Sequence, residues 1–168
     1  ERCFSEAFNH QARALAGEEQ ELKNLWNKLP AAIENMPSIL AARLESIMAH
    51  GQHDSAEKEF RKVIPKTWDH RLIKLYATLD TPDLAILSKR IERWLVDRPR
   101  DANLWLAASQ LAKRDELWTQ AKQFLERSIE NKETSLAYNE LGLILLELGQ
   151  EDEAIKAFNM ALNLNNNQ

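Results

Sequence analysis

The chain has 168 residues, a net charge of −4 and one cysteine. That length suffices for a domain with its own core; the mild acidity lacks the basic excess of nucleic-acid-binding domains, and a lone Cys3 excludes an intrachain disulfide and fits a reducing compartment. Only 4 Gly and 5 Pro among abundant Leu, Ala, Glu and Lys favour helix over many short strands.

In chain order, residues 1–36 read as an atypical N-terminal helix pair, broken near Gly17 and closed by Pro30. Residues 37–67 read as helix, turn, helix: Leu40, Leu44 and Ile47 stripe the first arm, Gly51 turns the chain, and Ala56, Phe60 and Val63 stripe the second. Residues 68–101 form a more divergent pair. Leu72, Leu75 and Leu79 mark its first helix; the second is expected to open at Thr81-Pro82, with Thr81 as N-cap, and to end near Arg98-Pro99. Asp101, Asp115 and Thr134 are the expected N-caps of the later helices, in units 102–134 and 135–168.

The last unit is the most regular. Tyr138, Leu141 and Leu145 share one helical stripe; Ala154, Phe158 and Ala161 share another. Gly149 between them suits a left-handed helix end. Gly142 and Ala154 are expected to be small because two helix backbones approach closely there. Ala121, Leu125 and Ser128 lie 33 residues before Ala154, Phe158 and Ala161, and Trp105 lies 33 before Tyr138. A 33–34-residue period of paired helices resembles the tetratricopeptide repeat (TPR), with Asn166 in place of its closing Pro. The expected fold is therefore all-α: a right-handed superhelix of TPR helix hairpins, about ten helices in five pairs, forming one contiguous solenoid.

A narrower resemblance rests on ordered segments: LWNKLP (25–30), WDHRLIKLY (68–76), ERWLVDRPRDANLWLAASQL (92–111) and ELWTQAKQFLERSI (116–129). Their order is similar to that of the C-terminal half of HemY proteins, which are associated with haem biosynthesis in proteobacteria. That resemblance implies a membrane-anchored accessory protein of haem or porphyrin synthesis, with this domain on the cytoplasmic side of the bacterial inner membrane. The chain starts at Glu1 without an initiator Met and is expected to be a fragment lacking an N-terminal membrane anchor. The resemblance brings no catalytic motif, and no G-x-G-x-x-G is present for a flavin.

Chemistry-bearing residues are sparse, and no enzyme is expected. His50 and His53 are spaced H-x-x-H beside Asp54. A metal site needs more ligands and a supporting shell, so the plainer reading is a polar turn with Asp54 as N-cap. No metal or cofactor is expected. Haem is the alternative: Cys3, His10, His50, His53 and His70 are the axial-ligand candidates, with His70, near Trp68, the one that could enter a groove. The five Trp residues (26, 68, 94, 105 and 118) read chiefly as core or inter-helix wedges, with Trp68 and Trp118 as the exceptions. Two basic clusters (Lys58, Arg61, Lys62 and Lys66; Lys89, Arg90, Arg93, Arg98 and Arg100) are interleaved with acids. They read as solvated faces, with an anionic membrane surface as the other partner.

In such folds the first helices line an inner groove. The consensus register places Ala41, Glu45 and Met48, Ile73 and Ala77, Leu106, Gln110 and Lys113, and Asn139, Leu143 and Leu146 there. The residue after Gly142 is Leu143, with Gln110 and Glu45 equivalent, so the asparagine of a two-carboxylate clamp is missing. The expected function is a protein–protein interaction scaffold whose partners are haem-biosynthesis enzymes, binding a helix or extended segment. The alternative is a haem or porphyrin carrier using a groove histidine, His70. Self-association through the C-terminal pair, by Leu143, Leu146, Phe158 and Leu162, is a further expectation.

Overall fold

A computed structural model describes residues 24, 26–28 and 30–166. Every regular element among them is helical. Cys3, His10 and the break near Gly17 lie outside the described residues. The chain divides into two compact units between Thr81 and Pro82. That division falls inside 68–101, the segment expected to be one repeat.

Unit 1 holds α1 (Ala31–Glu34), α2 (Pro37–Ala49), α3 (His53–Thr67) and α4 (His70–Tyr76). Pro37 opens α2 at a position whose N–H would be unsatisfied in any case. Gly51, at φ +72°, closes it: Gly51 N–H donates to Met48 O and Gln52 N–H to Ile47 O. The N-cap of α3 is Gln52, so Asp54 is not the cap; it sits in the first turn, where a carboxylate favours the helix dipole. Ala56, Phe60 and Ile64 form the buried stripe of α3. Its end is unusual: Trp68 takes left-handed angles (φ 48°) at the C-cap, immediately before Asp69 caps α4. Tyr76 of α4 meets Phe60 edge-on, with ring centroids 5.7 Å apart, and its hydroxyl donates to Glu57. Helix α4 is only two turns long, and Leu79, expected in it, lies beyond its end but is buried.

Unit 2 holds α5 (Leu84–Asp97), α6 (Ala102–Arg114), α7 (Trp118–Asn131), α8 (Ser135–Glu147) and α9 (Glu151–Asn166). The cap of α5 is Asp83 rather than Thr81: its carboxylate accepts Ala85 N–H, and Pro82 lies before the helix. Leu87, Ile91, Trp94 and Leu95 bury one face of α5. Asp101 and Thr134 cap α6 and α8 as expected. Asp115 does not cap α7. It is the C-cap of α6, and Glu116 follows it at φ 57°. The two hairpins α6/α7 and α8/α9 join through α7 and α8. Ala112, Ala121, Leu125, Ala137 and Ile144 form the shared core, with Phe124 and Ile129 packed against it. Ser128, buried where the next repeat has Ala161, donates to Ala102 O at 2.8 Å. The last hairpin has its own core of Leu145, Ala154 and Ala157, joined by Phe158. A Cβ on Gly142 would overlap the Phe158 ring, 2.7 Å from Cδ1. The small residue is therefore required by a ring, not by the facing backbone.

Candidate interaction surface

Helix α8 separates its faces sharply. Ala137, Gly142, Ile144 and Leu145 are buried, while Leu136, Asn139, Leu143 and Leu146 are exposed. The three leucines expose 44%, 49% and 47% of their surface, far more than core leucines such as Leu104 and Leu125 at 0%. An isolated exposed leucine needs no explanation; here three share one stripe and form an apolar row. Beside it, Lys113 of α6 and Glu140 of α8 form a charge-assisted hydrogen bond between two successive first helices. On α6, Leu106, Gln110 and Lys113 are each half-buried. Six of the expected groove residues thus lie on the first helices of unit 2: Leu106, Gln110, Lys113, Asn139, Leu143 and Leu146.

Unit 1 differs. Glu45 is exposed and Met48 half-buried on α2, but Ala41 is buried. Ile73 and Ala77 are 0% and 1% exposed, so they are core residues, not a free surface. Ile73 lies within α4 beside buried Leu72 and Tyr76, and Ala77 is its C-cap; both fall on the side that packs into the core. His70 is exposed at the first position of α4. Beside it, Asp69 accepts from Arg71 N–H, Nε and Nη2 at 2.8–2.9 Å. The Arg71 side chain holds the Asp69 carboxyl below its ordinary value, against the opposing effect of burial.

The H-x-x-H pair has structural work. His50 Nδ1 lies 2.7 Å from Ser46 O and therefore donates to it, whereas His53 Nδ1 accepts the Asp80 N–H at 3.2 Å. The two rings serve different partners. Among the described residues, no group of three His, Cys, Asp or Glu could hold a metal. No helix among the described residues is long and apolar enough to cross a membrane. Trp94 is buried, and Trp105 Nε1 donates to Pro99 O at 2.8 Å.

The consensus register gave no hint of two cavities on the opposite flank of the first helices. One, of about 230 Å³, lies among α5, α6 and α7 over Ala108, Ala112 and Phe124. The other, of about 330 Å³, lies among α7, α8 and α9 over Leu141, Leu145 and Ala157. Their linings correspond at a spacing of 33 residues: Lys89 with Lys122, Ala108 with Leu141, Ala112 with Leu145, Gln120 with Glu153. The repeat period was the available signal. Tyr138, on the second cavity, donates its hydroxyl to Glu133 at 2.8 Å. Burial, and then the Glu133 carboxylate, push the phenol above its ordinary value.

Residues 135–168 match the Tetratricopeptide repeat family. Comparison with curated protein sequences yields no match. The fold is similar to that of a thermophilic TPR protein of Thermus thermophilus (16% identity, 98% of this chain and 91% of that one, TM-score 0.65). It is also similar to MamA 41-end from Desulfovibrio magneticus (15% identity, 98% and 96%, TM-score 0.59). A third similar structure is pilF of Pseudomonas aeruginosa (14% identity, 95% and 75%, TM-score 0.61). The chain has an all-helical tetratricopeptide fold, and its last hairpin carries the repeat in its sequence as well.

Proposed function

We propose that this chain is a protein–protein interaction scaffold that holds a segment of a partner protein against the first helices of unit 2. The observation that carries this reading is the row Leu136, Leu143 and Leu146, exposed on a helix that buries Ala137, Gly142, Ile144 and Leu145. The ordered segments at 25–30, 68–76, 92–111 and 116–129 support a narrower setting, in a HemY-like, membrane-anchored accessory protein of haem or porphyrin synthesis. Its domain would then work on the cytoplasmic side of the inner membrane, and its partners would be enzymes of that synthesis.

Co-purification from native membranes tests the reading. Wild type is expected to retain a defined haem-synthesis enzyme that the Leu143→Lys, Leu146→Lys double variant loses. Equal recovery by both would exclude this face as the binding site.

A further inference from the structure

The seam on α8 has a heptad spacing. Leu136, Asn139, Leu143 and Leu146 follow one another at intervals of three, four and three residues, the a and d positions by which two helices pack knobs into holes. An extended strand would present side chains every second residue and would not match that row. The helix spans 13 residues, about 20 Å, so it accommodates three to four turns of a partner.

Charge sets the second half of the match. Residues 133–166 hold six acidic groups (Glu133, Glu140, Glu147, Glu151, Asp152 and Glu153) and one base, Lys156. The net charge of that segment is −5, against −4 for the entire chain. Glu140 and Glu147 occupy the flanking e positions of the seam. Lys113 neutralises Glu140, whereas exposed Glu147 is followed by exposed Glu151 and Asp152 at the start of α9. A second copy paired seam to seam does not fit this requirement. Paired α8 seams would bring two −5 segments together. Of the basic helices, α3, with Lys58, Lys62 and Lys66, exposes no large hydrophobic side chain, whereas α5 exposes Ile86 and Val96 beside Lys89 and Arg93; a copy docked through α5 is the competing occupant, and sedimentation tests it.

We infer that the segment docked on α8 is a basic amphipathic helix, with apolar residues at its own heptad seam and Lys or Arg where it meets Glu147 and the acidic turn. This inference rests on the interaction reading above and specifies the partner's chemistry.

The test uses two stapled helical peptides of about fourteen residues. Both carry leucine at the seam and asparagine opposite Asn139; one has lysine flanks and its twin glutamate flanks. Fluorescence anisotropy with the full chain is expected to show the lysine peptide binding at least about tenfold tighter in ~50 mM salt, an advantage that shrinks in ~300 mM salt. Leu143→Lys, verified as folded by circular dichroism, is expected to abolish binding, and Leu162→Lys on α9 to leave it unchanged. Equal binding of the two peptides, no binding, or binding indifferent to Leu143→Lys would overturn the inference. So would a Leu143-dependent dimer in sedimentation that excludes the lysine peptide. If the peptides fail while Leu143 still contacts a partner protein in cells, this inference falls and the scaffold reading stands.

Discussion

Lys113 and Glu140 join two successive first helices through one ion pair at the edge of the leucine row. Their side chains retain 32% and 19% of their exposure, so solvent screens the pair and its contribution is small. A double-mutant cycle with Lys113→Ala and Glu140→Ala, measured by urea unfolding, is expected to give a coupling of about 0.2–1 kcal/mol. Coupling indistinguishable from zero would mean that the two first helices are not held to each other here.

Glu116 and Gly149, 33 residues apart, occupy the same left-handed position at the ends of α6 and α8, with φ of 57° and 71°. Both turns close in the same way: Leu117 N–H donates to Ala112 O, and Gln150 N–H to Leu145 O. A side chain at such angles costs about 1–2 kcal/mol. Glu116→Gly is expected to raise stability by about 1 kcal/mol, and Gly149→Ala to lower it by about 1 kcal/mol. Thermal unfolding checks both signs; a destabilising Glu116→Gly would contradict the turn assignment.

Gly142 lies under the Phe158 ring, where an added Cβ overlaps Cε1, Cζ and Cδ1. Gly142→Ala is expected to destabilise by about 1–3 kcal/mol, as overpacking does. Adding Phe158→Leu should return part of that loss, because the obstacle is a side chain. An equal loss in the Phe158→Leu background would place the obstacle elsewhere.

The Asp69 carboxyl is held below its ordinary value chiefly by the Arg71 side chain. Its folded-state pKa is depressed, so it contributes stability at pH above the unfolded carboxylate value, about 3.9. That contribution is lost as pH falls further, through the lower folded value. Asp69 also caps α4, so Asp69→Ala is expected to cost about 1 kcal/mol at neutral pH. The difference from wild type should narrow below about pH 4. A gap that stays constant down to about pH 2 would contradict the ionised-cap account.

Much of this hairpin pattern was legible in the sequence because its signals are local. Gly51 and Gly149 announced left-handed turns, and Asp101 and Thr134 announced caps. Glu116 did not, because a glutamate carries no turn signal; only its 33-residue offset from Gly149 reveals the role. At Thr81-Pro82-Asp83 two residues could cap, and the carboxylate two residues further on accepts the N–H of Ala85. On α6 and α8 the repeat register picked residues that the structure leaves exposed or half-buried: Leu106, Gln110, Lys113, Asn139, Leu143 and Leu146. The same register failed at Ala41, Ile73 and Ala77, which are buried, because spacing alone does not say which stripe of a helix a neighbouring element covers. The cavities over Ala108 and Leu141 were not legible as spaces: the 33-residue period relates their linings, but an apolar stripe does not indicate whether neighbouring side chains fill the gap between helices.

A haemin titration addresses the carrier alternative. The scaffold account expects no Soret shift that depends on His70, with His70→Ala matching wild type. A stoichiometric shift abolished in that variant would make His70 an axial ligand.

The most direct test of the central claim is site-specific photocrosslinking in native membranes. One photoreactive residue replaces Leu143, and a control replaces Val96 on α5, 80% exposed but off the leucine row. The account requires a discrete partner-protein adduct from position 143 that is absent from position 96. Identical adducts from both positions, or none from position 143, would contradict it.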